Sequence, residues 1–564
     1  MKVRLLSPDR DFDPQTEPPW HAEILSKDLA LPVLFEAMAQ GDACIAEVVR
    51  KVLLTSLAND EATIAYRQQI LHDCLLHPQA VRELYEFAGA AVAQAKKQYL
   101  NTIARYPVWI LSQSIRHLTE FLAMIRDLKQ LTVRHESLFA APGSRAFFTR
   151  LHGEVGDDYL MTVSDHLQRL SFQRGMLMSA SLGRGNKGVH YLLHRPSLPE
   201  EQSRLARLGT WLLSLFWSKK PPPHSFSVHP RDEGGIRVLS SLRDQGLMRT
   251  AAALAQSSDN IRSFFTNLRN ELAFYVGCLN LRQRLVDMGS PICMPVPEPL
   301  AARRFTCRGL YDVCLSLQIG RPAVGNDVQA DGDDLVLITG ANQGGKSTML
   351  RSIGVAQCLL QSGMFVGAET MRASVCAGVY THFKREEDTR LKSGKLDEEL
   401  GRMSRIVDHI VPHALVLMNE SFAATNEREG AEIGRQIISA LIDNRVRVIC
   451  VTHMYELARH FFADRQPAFL FLRAAREESG ERSFKVLPGE PLPTSFGGDL
   501  YRALFDDSRE TPAGRQGIDL MVEQMIELTD ANRRQESKPF RPAWREKYTE
   551  PKKSSFTSLT QGAL

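Results

Sequence analysis

The stretch Leu335-Val336-Leu337-Ile338-Thr339-Gly340-Ala341-Asn342-Gln343-Gly344-Gly345-Lys346-Ser347-Thr348 carries residue types suited to holding a polyphosphate. An apolar run leads into G-x-x-x-x-G-K-S, which reads as a buried strand, a glycine-rich loop and the start of a helix. Gly340, Gly344 and Gly345 let backbone N–H groups approach phosphate oxygens with no Cβ in the way. Lys346 supplies a point charge for β- and γ-phosphates, and the Ser347 hydroxyl suits Mg²⁺. The helix expected from Thr348 through Leu359 aims the positive end of its dipole at the same anions. The bland alternative is a glycine-rich turn that binds nothing. A strand before it, a helix after it and Lys-Ser in register weigh against that alternative.

Two further apolar runs end in chemistry-bearing residues. Ala414-Leu415-Val416-Leu417-Met418 ends in Asn419-Glu420. In phosphate-loop ATPases such a strand usually ends Asp-Glu, where the Asp orients water on Mg²⁺ and the Glu polarises the attacking water. An amide oxygen at Asn419 still accepts a hydrogen bond from a metal-bound water but brings no charge. Either turnover is slowed, or the change is tolerated because Ser347 and the phosphates hold most of the metal. Val446-Arg447-Val448-Ile449-Cys450-Val451 ends in Thr452-His453. A His at a strand tip can reach a γ-phosphate or a water, although a lone His is more often structural.

These residues together resemble the MutS mismatch-repair ATPases. Thr339 to Thr348 is similar to their T-G-P-N-M-G-G-K-S-T loop, departing at Ala341 and Gln343, and Leu415 to Glu420 is similar to L-V-L-M-D-E, departing at Asn419. Thr425 to Gly430 stands where the family has T-x-x-x-D-G, and Thr452-His453-Met454-Tyr455-Glu456-Leu457 looks like T-H-Y-F-E-L. The resemblance implies ATP and Mg²⁺ as ligands, with Gly340, Ala341, Asn342, Gln343, Gly344, Gly345, Lys346, Ser347 and Thr348 around the nucleotide. It places the metal at Ser347 and Asn419 and gives catalytic roles to Glu420 and His453. It also implies a composite ABC-type site, in which a helix N-terminus from a second subunit caps the γ-phosphate. Ser393, ahead of Lys395-Leu396-Asp397-Glu398-Glu399-Leu400, is the capping candidate, and Ser followed by an acidic first turn reads as an N-cap. A homodimer follows.

The remaining sequence bounds the architecture. With 564 residues the chain is long for one domain; 43% hydrophobic and 24% charged residues are a globular composition. The net charge of +4 does not announce a nucleic-acid binder, and nine scattered Cys without C-x-x-C argue against zinc and disulfides. No secretory leader or membrane span is read, so a cytoplasmic chain is expected. The expected fold is multidomain, α plus α/β: an N-terminal extension (1–30), a helical core and lever or clamp region (31–300), a P-loop ABC-type ATPase domain (301–505), and a C-terminal helix with a disordered tail (506–564). Helical spacing runs from Leu34 through Leu53, begins again at Ile64 to Leu71, and continues in a long helix from Tyr99 to Leu131. Glu271 to Leu285 resembles the family helix that returns from the lever. Leu310 to Asp327, with Val324-Gly325-Asn326-Asp327, resembles the β-segment and V-P-N-D turn ahead of the loop.

Three regions bear on partners. His166 to Arg195 holds five Lys/Arg and no acid, around the turn signal Gly183-Arg184-Gly185-Asn186-Lys187-Gly188; a basic β-hairpin there, through Arg184 and Lys187, could sit on DNA phosphates. Lys219 to His224, with three prolines, reads as a linker. A helix is expected at Ile518 to Leu528, then a disordered polar tail from Arg533 to Leu564. The family's F-x-E mismatch wedge has no counterpart, since no Phe has Glu two positions on, and no Smr-type nuclease segment is read. The expected function is therefore a DNA-binding ATPase clamp in repair or recombination that lacks the wedge. The alternatives are a nucleotide-gated scaffold with little hydrolysis and, more remotely, a small-molecule or nucleotide kinase.

Overall fold

The apolar periodicity of residues 34–53 is divided between two helices in the computed structural model, α2 (Leu31–Ala39) and α3 (Ala43–Thr55). Gln40 and Gly41 between them both take left-handed conformations, at φ 47° and 88°, which ends the first helix. Asp42 then starts the second, its carboxylate accepting from Cys44 N (2.8 Å) and Ile45 N (3.3 Å). Residues 1–99, 107–172, 177–182, 184, 188–194, 231–385, 394–464, 466–475 and 482–492 are described, all within one compact unit, Met1–Ser495. The expected linker at 219–224, the helix at 518–528 and the tail from 533 lie outside the described residues.

The N-terminal half is helical. α1 (Ala22–Asp28) precedes α2, and α4 (Glu61–Leu76), α5 (Pro78–Tyr99), α6 (Pro107–His135), α7 (Pro142–Glu154) and α8 (Asp157–Leu170) follow α3. The long helix expected from Tyr99 begins, among the described residues, at Pro107. The basic segment forms the expected antiparallel hairpin, β1 (Leu177–Leu182) with β2 (Gly188–His194). α9 (Glu233–Asp287) runs 55 residues, about 80 Å at the rise of an α-helix, and packs along α2, α3, α5 and α6.

Glu271 on α9 fastens the first residues of the chain. Its buried carboxylate accepts the backbone N–H of Leu5, of Leu6 (3.1 Å) and of Phe12 (2.8 Å). Tyr275 donates to Leu5 O (2.6 Å), Tyr66 to Arg4 O (2.6 Å) and Arg67 to Leu6 O (2.6 Å). Val3, Leu5 and Leu6 are thereby buried in the same apolar core as the helices. Arg67 also reaches Ser362 O, and Gln361 donates to Leu57 O, which ties the C-terminal end of a helix in the second half to the α3–α4 region.

That second half is built on two sheets. β3 (Val296–Glu298), β7 (Thr370–Ser374), β4 (Phe305–Leu310) and β5 (Asn326–Gln329) form a mixed four-stranded sheet in that order. The larger sheet has the order β12-β11-β6-β10-β9-β8, with β6 (Leu335–Gly340), β8 (Val379–Phe383), β9 (Leu415–Asn419), β10 (Arg447–Val451) and β11 (Phe469–Ala474) parallel, and β12 (Val486–Pro488) antiparallel at one edge. Leu335 to Ile338 are at most 1% exposed, as expected of a central parallel strand covered on both faces. After the short α10 (Val313–Ile319), α11 (Lys346–Gln361) is buried over most of its circumference, and one continuous apolar cluster joins it to the helical half. The fold is thus α plus α/β. Among the described residues no helix is long and apolar enough to cross a membrane.

Burial pushes the Glu271 pKa up to about 7, against its three backbone N–H partners, which lower it. A raised carboxyl pKa contributes stability that is fully present below the unfolded value near 4.5 and is lost as pH rises through about 7. Denaturant midpoints of wild type and Glu271→Gln, followed from pH 4.5 to 7.5, are expected to show the wild-type advantage shrinking as pH rises; a constant difference would contradict this.

Candidate nucleotide-binding site

The carboxyl ends of the parallel strands meet at one edge because their registers align. Val451 pairs with Ile338 on one side and with Asn419 on the other, so Gly340, Asn419 and Thr452 emerge side by side. The strand order changes direction at β6, whose neighbours β10 and β11 both come much later in the chain. Ligands of open parallel sheets bind outside such a switch point.

The glycine-rich loop is shaped by close backbone approach. A Cβ on Gly344 would stand 2.8 Å from the Ala474 Cβ and 2.9 Å from Ala341 O, so the loop can lie against β11 only with glycine there. Gly345 takes φ 89° and forms the N-cap of α11, which begins at Lys346, two residues earlier than expected. Gln343, where the family has Met, takes φ 57°.

Lys346 is 5% exposed, and its ammonium donates to Gly340 O (2.9 Å) and Ala341 O (3.0 Å). Among the described residues no carboxylate lies within ion-pair distance of it. Burial lowers its pKa, the nearby Glu420 charge opposes this, and Arg482 adds to it. Two charge-assisted hydrogen bonds contribute about 1.5–3 kcal/mol each, against an effective desolvation penalty of several kcal/mol for a buried ion. A phosphate beside this amine would add an attraction between full charges that the loop carbonyls do not supply.

Ser347 and Asn419 meet as expected: the Ser347 hydroxyl donates to Asn419 Oδ1 at 2.9 Å. Two neutral oxygens side by side at the exposed end of the loop fit a hard, hydrated cation such as Mg²⁺, with the negative charge left to a phosphate. Thr348 is half-buried in the first turn of α11. Glu420 follows Asn419 at φ 52°, its N–H bonded to Val451 O (2.9 Å), and its Oε2 lies 3.8 Å from the His453 Nδ1. His453 is exposed, so it faces the open side of the site.

Ser393 and Lys187 lie outside the described residues. The helix that Ser393 was expected to cap, α12 (Lys395–His409), has Gly394 as its N-cap, with no side-chain cap bond. Glycine is a good residue there, and the expected acidic first turn, Asp397 and Glu398, is present. Arg184 is exposed beside the hairpin strands, remote in sequence from the loop.

The structure adds a wall that the motifs did not reveal. A cleft of about 530 Å³ runs from the loop and Glu420 to Tyr311, Leu315, Ile319, Pro322, Val324 and Phe484. Ile319, Val324 and Phe484 are exposed large apolar side chains, as suits a face waiting for a flat apolar ligand. The only sequence signal was the V-P-N-D-like turn at Val324; Phe484 has none.

Behind Glu420 lies a buried polar cluster. His382 on β8 is fully buried, stacks on Phe422 at 5.2 Å, and has its Nδ1 2.7 Å from the Ser421 Oγ and its Nε2 3.0 Å from Glu399 O on α12. Burial first, then Arg402, lowers its pKa to about 4, so the ring is neutral. A carbonyl can only accept, which assigns the proton of the neutral ring to Nε2 and leaves Nδ1 an acceptor; the one Ser421 hydroxyl proton is then shared between Nδ1 and the His382 carbonyl oxygen at 2.8 Å.

An α plus α/β protein whose parallel sheet carries a phosphate-loop sequence at its carboxyl edge is what fold and site define. Residues 59–288 match the family model for the MutS2 N-terminal domain, and residues 336–490 match MutS domain V. The chain belongs to the MutS family. Its relatives include the DNA mismatch repair protein MutS of Thermus aquaticus, 34% identical over 31% of this chain and 21% of the relative. The endonuclease MutS2 of Thermus thermophilus is 31% identical over 22% of this chain and 16% of its own length. MutS protein homolog 4 of Mus musculus is 26% identical over 27% and 16% respectively. The matched part spans between about a sixth and a fifth of the length of these relatives.

Gly430, in α13 (Glu427–Asp443), stands directly under the Phe422 carbonyl: a Cβ there would be 2.4 Å from that oxygen. Gly430→Ala is expected to cost about 1–3 kcal/mol of stability in denaturant unfolding. Gly401→Ala, where a Cβ meets nothing within 4 Å on the exposed face of α12, is expected to be neutral or to stabilise by up to about 1 kcal/mol. Equal effects at the two positions would contradict the packing described.

Proposed function

We propose that this chain is a Mg²⁺-dependent ATPase of the P-loop, ABC type, acting as a dimeric clamp on DNA in repair or recombination. The observation that carries the proposal is the buried Lys346 ammonium, which among the described residues is held by two loop carbonyls at the mouth of the cleft. In this proposal the β- and γ-phosphates displace one or both carbonyl contacts, and the loop N–H groups and the α11 dipole complete the cradle. The base lies along the Tyr311–Phe484 wall. When bound, Mg²⁺ supplies charge neutralisation on the phosphate oxygens; Ser347 and Asn419 are the residues that would hold it. Glu420 orients and polarises the attacking water, and His453, within reach of Glu420, faces the γ-phosphate.

The finer parts of the proposal rest on family likeness. Ser393 completes the site of a second copy, which makes the working form a homodimer. The helical region at 31–300 is the lever, the region at 301–505 is the ATPase, and Arg184 and Lys187 on the basic hairpin contact the DNA backbone. The protein acts without an F-x-E wedge and in the cytoplasm. Nucleotide-gated scaffolding with little hydrolysis is the second reading, and the specific observation favouring it is the uncharged Ser347–Asn419 pair.

Lys346→Ala removes charge-assisted contacts of about 1.5–3 kcal/mol each, so ATP affinity is expected to fall by about 100-fold or more in equilibrium binding. Unchanged affinity would overturn the assignment. Asn419→Asp is expected to raise Mg²⁺-dependent phosphate release by about tenfold, the equivalent of about 1.4 kcal/mol. Steady-state assays with and without DNA check this, and no change would mean that the amide is simply tolerated.

A further inference from the structure

The polypeptide at Glu420 is bent in a way that needs external support. Glu420 and Phe422 both take positive φ, 52° and 63°, with Ser421 between them. Non-glycine residues are strained in that region and persist only where the surroundings over-determine them. Two supports are visible. The Phe422 ring is fully buried, and its carbonyl sits over Gly430. The Ser421 hydroxyl lies between the His382 ring at 2.7 Å and the His382 carbonyl at 2.8 Å.

His382 and Glu399 are therefore the groups that join this bend to its neighbours. The His382 Nδ1 shares the Ser421 hydroxyl proton with the His382 carbonyl, and Nε2–H is given to the Glu399 carbonyl in the first turns of α12. Arg402, one turn further along α12, donates to Phe383 O at 3.0 Å and fixes the same helix to the end of β8. The ring thus bridges the residue after Glu420 to α12, with its plane held by Phe422.

We propose that His382, acting through Ser421, is a positioning residue for Glu420: it sets the direction of the Glu420 carboxylate without touching the nucleotide. The proposal rests on the ATPase assignment above. An imidazole suits the task because the two ring nitrogens play opposite roles, acceptor towards the hydroxyl and donor towards the carbonyl. No apolar residue of similar shape supplies either bond. The support is also stiff, because ring, hydroxyl and carbonyl are all buried and cannot exchange their partners for water.

The test compares wild type, His382→Phe, Ser421→Ala and Glu420→Gln, with each of the first two also combined with Glu420→Gln. Phosphate release under single turnover and equilibrium ATP binding are both measured on the full chain. His382→Phe keeps a ring on Phe422 but drops both hydrogen bonds, and Ser421→Ala is the milder change should His382→Phe fold poorly. The expected result is a fall in hydrolysis of about tenfold or more in both single variants, ATP affinity within about threefold of wild type, and no further loss in the Glu420→Gln background. Hydrolysis unchanged in Ser421→Ala overturns the proposal. So does a parallel fall of affinity and rate, or a loss that multiplies with that of Glu420→Gln. Wild type that binds ATP without hydrolysing it removes the ATPase assignment itself, and this inference with it.

Discussion

The alignment of three strand ends is the constraint on which the site depends. Val451 is paired with both Ile338 and Asn419. A slip of one residue in either pairing would turn alternate side chains to the other face and move Glu420 away from the loop. The register is fixed because both faces of these strands are buried: Val336, Ile338, Leu417, Ile449 and Val451 lie in one core cluster, while Leu335, Leu337, Val416, Met418, Val448 and Cys450 lie in the other. Chemistry at the edge is thus a consequence of packing on two sides of the sheet.

The edge is tied to the helical half by polar bonds as well as by apolar contact. α11 starts at Lys346 and ends at Gln361, whose side chain bonds to Leu57 O, while Asn59 donates to Gln361 O at 3.0 Å. Arg67 links Ser362 O to Leu6 O, and Leu6 N–H is held by Glu271 on α9. A continuous set of buried contacts therefore runs from the loop, along α11, to the long helix. Contiguity alone does not establish coupling; it does show that any shift of α11 must be met by α3, α4 and the N-terminal segment.

The loop and the strand tips were legible in the sequence because their signals are local. Glycines, a Lys-Ser pair and apolar runs of strand length are adjacent in the chain, and the structure brings Ser347 to Asn419 and Glu420 to His453. What escaped was non-local. Phe484 reaches the cleft from more than a hundred residues beyond the loop, and no pattern around it marks a ligand face. His382 sits in Val-Tyr-Thr-His-Phe, where a lone His reads as a strand residue; its partners Ser421 and Glu399 come from two other elements. The first residues of the chain carried no motif, yet Glu271 holds them through backbone N–H groups, which sequence patterns cannot report. The helix break at Gln40–Gly41 was hidden because the apolar spacing continues in phase across it.

The central claim is that a nucleoside triphosphate binds with its phosphates on the loop from Gly340 to Ser347. Amide hydrogen exchange on the full chain, with and without ATP and Mg²⁺, tests it most directly. The account predicts slowed exchange at residues 342–348 and in the first turn of α11, with a smaller effect at 419–422. Saturating nucleotide that leaves those amides unchanged while protecting another part of the chain would contradict it.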